Sequence, residues 1–402
     1  MTVSKSHSTE LRAGTVRPGE ISVIVATRGR PQMLAQFFDS LRETTARKDL
    51  ASLWLYVDDD DKVTLEAIEK KSLPDPGLPV HWHVGPQTGG LGETHQALWK
   101  ASGRSSQIYV TAVDDARFGT RSWDDIVRQT YDAYPDGVLL AFPHDPMTAD
   151  QATLPIFGWG WLNTLESVYP GYFPYWFDDK WVDDIGRMVG RCVKLSVSLR
   201  PIGGKGRTKR MRNMPFWTRF FHLTLYERKE SARKLIAAMH PADEAGRTAA
   251  FAQLEQVAAR LEKEKESFSD VYCVFQEERH TELTAEERQQ FNPRYFRQEA
   301  LAVARLLSHA RELLDAKKFE EAMLYLDAVQ LSDMKVRQGY ALMAECLRGL
   351  GRISEAERIA SEAEAAWPQM NPLRRCFRFL GMVANDGKRM LVGLTHKGKT
   401  SG

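Results

Sequence analysis

The chain reads as an α/β protein built on a mostly parallel, doubly wound sheet and completed by an all-α second half. Three observations lead there. Apolar or β-branched runs of strand length, ISVIVAT (Ile21 to Thr27), SLWLYV (Ser52 to Val57) and IYVTAV (Ile108 to Val113), each break into a polar or acidic loop. Segments with apolar residues at helical spacing lie between them. From about Pro215 the composition shifts to Ala, Glu, Leu, Arg and Lys and carries an internal repeat with a shift of 34 residues. An uninterrupted apolar run suits a parallel strand buried on both faces, and strand–helix alternation suits crossover connections.

Composition bounds the rest. At 402 residues the chain is expected to hold two or three domains, and 43% hydrophobic against 27% charged residues gives apolar surface for real cores. Lys+Arg at 55 nearly balances Asp+Glu at 53, so no whole-molecule field points to nucleic acid or to a membrane. The 4 cysteines, Cys192, Cys273, Cys346 and Cys376, are far apart and form no CxxC pair, which fits a reducing, cytoplasmic setting. No N-terminal apolar run of signal-peptide type and no bilayer-length stretch is expected.

In order, residues 1–20 read as a loose polar tail. The first strand ends at Arg28-Gly29-Arg30-Pro31; Pro31 suits a first helical turn, and the following helix turns its N–H groups toward the strand's end, so an anion is welcome there. The second strand ends in four acids, Asp58 to Asp61. Consecutive carboxylates repel, so the run needs a role or full solvation; a carboxylate there can accept the N–H of a uracil or guanine. On LPVHWHV, His81 and His83 share one face, as a metal pair or, more plainly, as packed rings. A glycine-rich loop (Gly85, Gly89, Gly90, Gly92) and a short helix lead to the strand ending in Asp114-Asp115. Paired acids at a sheet edge suit a hard divalent ion; a solvated turn is the plainer alternative.

These loops together resemble glycosyltransferase family 2, the inverting enzymes of GT-A (Rossmann-like) fold. ISVIVATRGRP is similar to the family's opening strand and loop, VDDDD to its base-reading strand, and GGLGETHQALWKASGRSSQIYVTAVDD to its glycine-rich loop, helix and metal acids, with His95-Gln96 where an Arg-Asn pair is usual. The likeness covers about Ile21 to Arg191. It implies nucleotide contacts from Thr27, Arg28, Arg30, Asp58, Asp60, His95 and Asp114, and Mn²⁺ or Mg²⁺ on Asp115 with Asp114. It also implies a catalytic aspartate at Asp179, with Asp178 in the place of the usual Glu and Asp183, one helical turn on, as a competitor. The chemistry implied is a single displacement that moves a sugar from a nucleotide diphosphate sugar to a hydroxyl of a glycan, polysaccharide or protein. A carboxylate takes the acceptor's proton and cations offset the leaving diphosphate. The alternatives are a nucleotidyltransferase on a related sheet and a silent sugar-nucleotide fold carrying interaction repeats. The aromatic block from Gly158 to Phe177 supplies rings for a cleft or for core, and RPIGGKGRTKRMR (200–212), with three glycines and six basic residues, reads as a lid over a diphosphate or a solvated loop.

The catalytic domain is expected over 21–225 and a helical connection over 226–300. Over 301–372 the helices resemble tetratricopeptide repeats, with Ala310, Ala322 and Val329 matching Ala344, Ala356 and Ala363. Such repeats imply a protein partner or self-association. The tail, 373–402, is basic and partly apolar, with at most peripheral membrane contact expected and no nucleic acid.

Overall fold

The computed structural model describes residues 15–144, 150–174, 176–202, 213–240, 244–267 and 284–367. Most of the expected tail at 1–20, the basic loop from 203 to 212, and everything beyond 367 lie outside the described residues, as do Cys273 and Cys376. The chain divides into two compact units, Met1–Ala304 with Leu331–Met334, and Arg305–Gln330 with Lys335–Gly402.

The first unit is an α/β sheet flanked by helices. Its strands are β1 (Arg17–Thr27), β2 (Ala51–Asp58), β3 (Val80–Gly85), β4 (Ser106–Val113), β5 (Ala116–Phe118), β6 (Leu140–His144), β7 (Ile156–Gly158) and β8 (Cys192–Pro201). Their spatial order is β3-β2-β1-β4-β7-β6-β8-β5. The β3-β2-β1-β4 half is parallel throughout; β7 then runs antiparallel to both β4 and β6, and β6 is parallel to β8. The last residues of β8 pair antiparallel with β5. The antiparallel β7 had no signal in the sequence, since IFG is too short to show a period.

Alternation along the strands decides which helix covers which face. Ile21, Val23 and Val25 of β1 share a core with Leu34, Phe37, Phe38 and Leu41 of α1 (Pro31–Thr44) and with Trp123 and Val127 of α4 (Trp123–Asp132). The opposite face of β1 and β2 carries α3 (Leu91–Ala101). Helices α2 (Lys62–Glu69), α5 (Trp159–Leu165), α6 (Asp178–Val189), α7 (Met214–Leu223), α8 (Leu225–Ala238) and α9 (Glu244–Ser267) complete the layers, with α6, α8 and α9 packed on one another. Much of the aromatic block is core: Trp161, Phe173 and Phe177 are buried, and Phe173 meets the rings of Trp181, Trp217 and Phe220 edge to face. His81 stacks on Trp54 and His83 lies against Tyr56, so the histidine pair is a packed pair.

The second unit is helical. It takes in the end of α10 (Ala285–Asp315) and nearly all of α11 (Phe319–Leu331), together with α12 (Arg337–Gly349) and α13 (Ile353–Ala366). Of the six aligned positions, Ala310, Ala322, Val329, Ala344 and Ala356 are buried and Ala363 is half-buried. No helix among the described residues is long and apolar enough to cross a membrane.

Candidate active site

The four parallel strands finish side by side. Thr27 lies opposite Val57, Ala26 opposite Val113, and Asp58 opposite Gly85. Ligands of such sheets bind beyond these carboxyl ends.

The loop after β1 ties this edge together. Arg28 donates from Nη1 to Asp58 at 2.7 Å and from Nη2 to Asp60 at 3.1 Å. The bond to Asp60 is the main cause holding the Arg28 guanidinium above its ordinary pKa. The Gly29 N–H donates to Asp61 at 2.7 Å, and Asp61 caps α2 by accepting the Thr64 N–H at 3.2 Å. The four acids therefore coexist because Asp58, Asp60 and Asp61 each have a partner while Asp59 is exposed.

At the end of β4 the acids are bound differently. Asp114 is fully buried and accepts the Thr27 hydroxyl at 2.8 Å on Oδ2 and Arg30 Nη2 on Oδ1. The other arm of the same guanidinium, Nη1, donates to Asp115 Oδ2 at 3.0 Å. Burial pushes the Asp114 pKa up, against the pull of the Arg30 charge and the Thr27 hydroxyl. Thr27, Arg28, Arg30, Asp58, Asp60, Asp114 and Asp115 thus occupy one edge. His95 does not join them. It is fully buried beneath β4, with Nε2 3.3 Å from the Ala112 carbonyl and its ring on Tyr169. Burial lowers its pKa to about 4, so it is a neutral core residue closed to a ligand, which corrects its expected place among the nucleotide contacts. Gln96 is likewise spoken for: it holds the backbone of Glu166 and Val168.

Of the α6 acids, Asp178 packs against α3. A Cβ on Gly92, in the first turn of α3, would lie 2.9 Å from Asp178 Oδ2 and 3.3 Å from Tyr169 Cβ, so a larger residue here would push the Asp178 carboxylate aside. Tyr169 in turn sits 3.5 Å from the hydroxyl of Thr111, three residues before Asp114 on β4 and so about 10 Å along the strand. Asp179 accepts Gln151 Nε2 at 3.1 Å and the Lys180 N–H at 2.8 Å. It keeps an opening to solvent yet is closely packed around, and this desolvation raises its pKa to about 6, helped by the charge of Asp183 and opposed by the Lys180 N–H. Asp183 is buried and bound by Arg187 at 2.9 Å and Lys180 at 3.8 Å. Before α6, Trp176 and Phe177 both take positive φ, 42° and 69°, an uncommon pair of conformations for bulky side chains; Phe177 is buried and Trp176 is 42% exposed.

Sequence reasoning missed Gln151, Tyr169 and the two-acid grip of Arg30. Nothing local distinguishes Gln151, and Tyr169 was one ring among many in its block.

Among the described residues no three His, Cys, Asp or Glu side chains converge as a protein-made metal cage. The Asp114–Asp115 pair nonetheless fits a hard divalent ion that takes its remaining ligands from a diphosphate and water, because it is an all-oxygen pair already holding a cation, the Arg30 guanidinium.

No protein-family model and no curated protein matches the chain. Among solved structures, the chain is similar to S. aureus TarS 1-349 in complex with UDP-GlcNAc, with a TM-score of 0.44 and 13% identity over 86% of this chain and 89% of that one. It is also similar to the mannosyltransferase PcManGT from Pyrobaculum calidifontis in complex with GDP-Man and Mn²⁺, at 0.40 and 14% over 85% and 90%. A third, GalNAc-T7 with UDP, GalNAc and Mn²⁺, gives 0.40 and 11% over 64% and 57%. Likenesses of this size leave the function to be argued from the residues.

Proposed function

We propose that the first unit is an inverting, metal-dependent glycosyltransferase of GT-A type, moving a sugar from a nucleotide diphosphate sugar to a hydroxyl acceptor. The observation that carries the reading is Asp179. It is a carboxyl with a pKa raised to about 6, at the start of α6 and next to Asp178, which packs on Gly92 of the glycine-rich loop. A base with that pKa is largely ionised at neutral pH and still has enough proton affinity to assist an alcohol.

The roles follow from position. The ends of β1 and β2, with Thr27, Arg28 and Asp58, receive the nucleoside, and Asp60 helps to hold Arg28. Asp115, with Asp114 behind it, would hold a divalent ion, which would supply Lewis-acid stabilisation of the leaving diphosphate. Asp179 accepts the proton of the acceptor hydroxyl as its oxygen bonds to the anomeric carbon and the sugar–phosphate bond breaks, with the nucleoside diphosphate leaving. Gln151 holds Asp179 in position, and Asp178, packed on Gly92, fixes the start of α6. Asp183 is the weaker candidate for the base because Arg187 and Lys180 already neutralise it. The helices of the second unit fit a tetratricopeptide-like module that binds a protein or a second copy of the chain.

The test is to incubate the protein with Mn²⁺ and a panel of UDP- and GDP-sugars and measure nucleoside diphosphate. Release supports transfer. Pyrophosphate exchange in place of release points to nucleotidyl transfer, and silence with every donor points to a binding scaffold; either overturns the reading.

A further inference from the structure

We infer that Arg30 is a resident cation that a divalent ion must evict, so that metal and donor diphosphate enter this edge together. The inference rests on the nucleotide-sugar reading of the edge. Its geometric basis is the fork: Nη2 on Asp114 Oδ1 and Nη1 on Asp115 Oδ2, the latter at 3.0 Å. The second oxygen of Asp114 is taken by Thr27 at 2.8 Å. A divalent ion approaching Asp115 therefore meets a carboxylate already shared with a guanidinium. Two cations within a few ångströms of each other in a partly buried site repel strongly. Occupancy by Arg30 and occupancy by the ion are mutually exclusive.

The arginine is built to leave. Its backbone is fixed at the start of α1, where its carbonyl accepts the Leu34 N–H at 3.0 Å, while its side chain is 27% exposed. Asp114 is 0% and Asp115 13% exposed, so the anions stay and the cation moves. A released guanidinium at this edge can pair with the diphosphate, since its planar fork matches two phosphate oxygens. The exchange is self-consistent: the ion takes the carboxylates and the arginine takes the anion that came with the ion. Metal without nucleotide meets a closed site, and each ligand raises the affinity for the other.

Calorimetric titration of the full chain with MnCl₂ alone tests this without any turnover. Arg30→Gln should bind Mn²⁺ at least about tenfold more tightly than the wild type, because the competing state is removed. Adding Asp115→Asn to Arg30→Gln should return binding to the weak wild-type level, which locates the ion. Removing Arg30 leaves Asp114 buried without its cation. If that variant does not fold, Arg30→Lys carries the test: a point charge without the fork should yield to Mn²⁺ about threefold more readily than arginine does. Equal Mn²⁺ affinity in the wild type and the variants, or no binding in any of them, overturns the inference. Absence of nucleoside diphosphate release from sugar donors would instead overturn the glycosyltransferase reading and leave this comparison standing.

Discussion

Two pairs of adjacent aspartates in the same unit are held in opposite ways. Asp183 and Asp184 sit inside α6, buried, and are met by three cations: Arg187 at 2.9 Å from Asp183, Lys180 at 2.6 Å from Asp184, and Arg228 at 3.2 Å from Asp184. Arg228 is itself buried, lies over the rings of Phe221 and Trp181, and donates to the Phe221 carbonyl. Asp114 and Asp115 sit at a strand end and share one loop arginine that is partly in solvent. Of the three cations on the α6 pair, Arg228 reaches across from α8 and is 2% exposed, while Lys180 and Arg187 belong to α6 itself and are 19% and 35% exposed. The β4 pair shares a single guanidinium, 27% exposed. Adjacency of acids in the sequence says nothing about which case holds; the number and burial of the counter-cations do. Asp179 is a third case, a carboxyl held by Gln151 and the Lys180 N–H, whose pKa burial raises.

The sharpest way to break this comparison is at Asp179. Asp179→Asn keeps the shape and removes the base, and nucleoside diphosphate release in the presence of acceptor should fall about 10²–10⁴-fold. Thermal stability should be retained or rise, because the folded protein no longer holds a desolvated carboxylate. Asp183→Asn should instead weaken the protein; if it is Asp183→Asn that loses transfer while remaining folded, the base lies one turn along the helix.

Next in size is the contrast in stability between the two pairs. Asp184→Ala leaves Lys180 and Arg228 facing each other in the interior and should cost about 3–5 kcal/mol, read as a lowered urea midpoint. Asp115→Asn should cost far less in the same measurement, yet remove the Mn²⁺ dependence of donor turnover. If the two variants lose stability equally, the β4 acids are a structural pair and their proposed role falls.

The pH dependence is a milder probe. Asp179 has a folded-state pKa of about 6, above the ordinary carboxylate value of 3.8. It must be ionised to act, so kcat/KM should fall as pH drops below about 6, approaching tenfold per pH unit. The stability term has the opposite sense. A raised carboxyl pKa means that the folded state holds more protons than the unfolded chain between 3.8 and about 6, so this group favours folding at the acid end and that contribution is lost as pH rises through the window. Asp124 behaves in reverse. Burial alone would raise its pKa, but the N–H groups of Ala46 and Arg47 and the Arg128 guanidinium outweigh it, so its contribution is present above the ordinary value and lost on acidification. An Asp179→Asn protein should therefore keep its acid destabilisation while losing the decline between pH 4 and 6.

The parallel half of the sheet was legible because β1, β2 and β4 are near-continuous apolar runs that end in polar loops. The order of those loops carried the edge residues with it. What could not be read was set by tertiary neighbours. His95 looks like a loop-proximal polar residue until Tyr169 and Ala112 close over it. Asp178, Asp179, Asp183 and Asp184 are four acids in seven residues; Gly92, Gln151 and Arg228, all distant in sequence, together with Lys180 and Arg187 on the same helix, sort them into separate roles. The 34-residue spacing has a local counterpart: two inter-helix turns of the second unit reuse the same backbone hydrogen bonds.

That reuse gives the smallest prediction, and it tests the second unit alone. The turn between α10 and α11 is closed by the Lys318 N–H on the Leu313 carbonyl at 2.8 Å and the Lys317 N–H on Leu314 at 2.9 Å. The turn between α12 and α13 repeats both bonds 34 residues later, from Arg352 to Leu347 at 2.8 Å and from Gly351 to Arg348 at 3.0 Å. The pivotal residue is left-handed in both, φ 59° at Lys317 and φ 74° at Gly351. Glycine adopts this conformation without strain, whereas a side chain costs about 1–2 kcal/mol there, less the entropy that glycine loses on folding. Lys317→Gly should therefore stabilise the unit by about 0.5 kcal/mol, measurable as a small rise in the melting temperature of the full chain. Gly351→Lys should lower it by a similar amount. If both substitutions destabilise, the two turns are not equivalent and the repeat is a likeness of spacing without a likeness of structure.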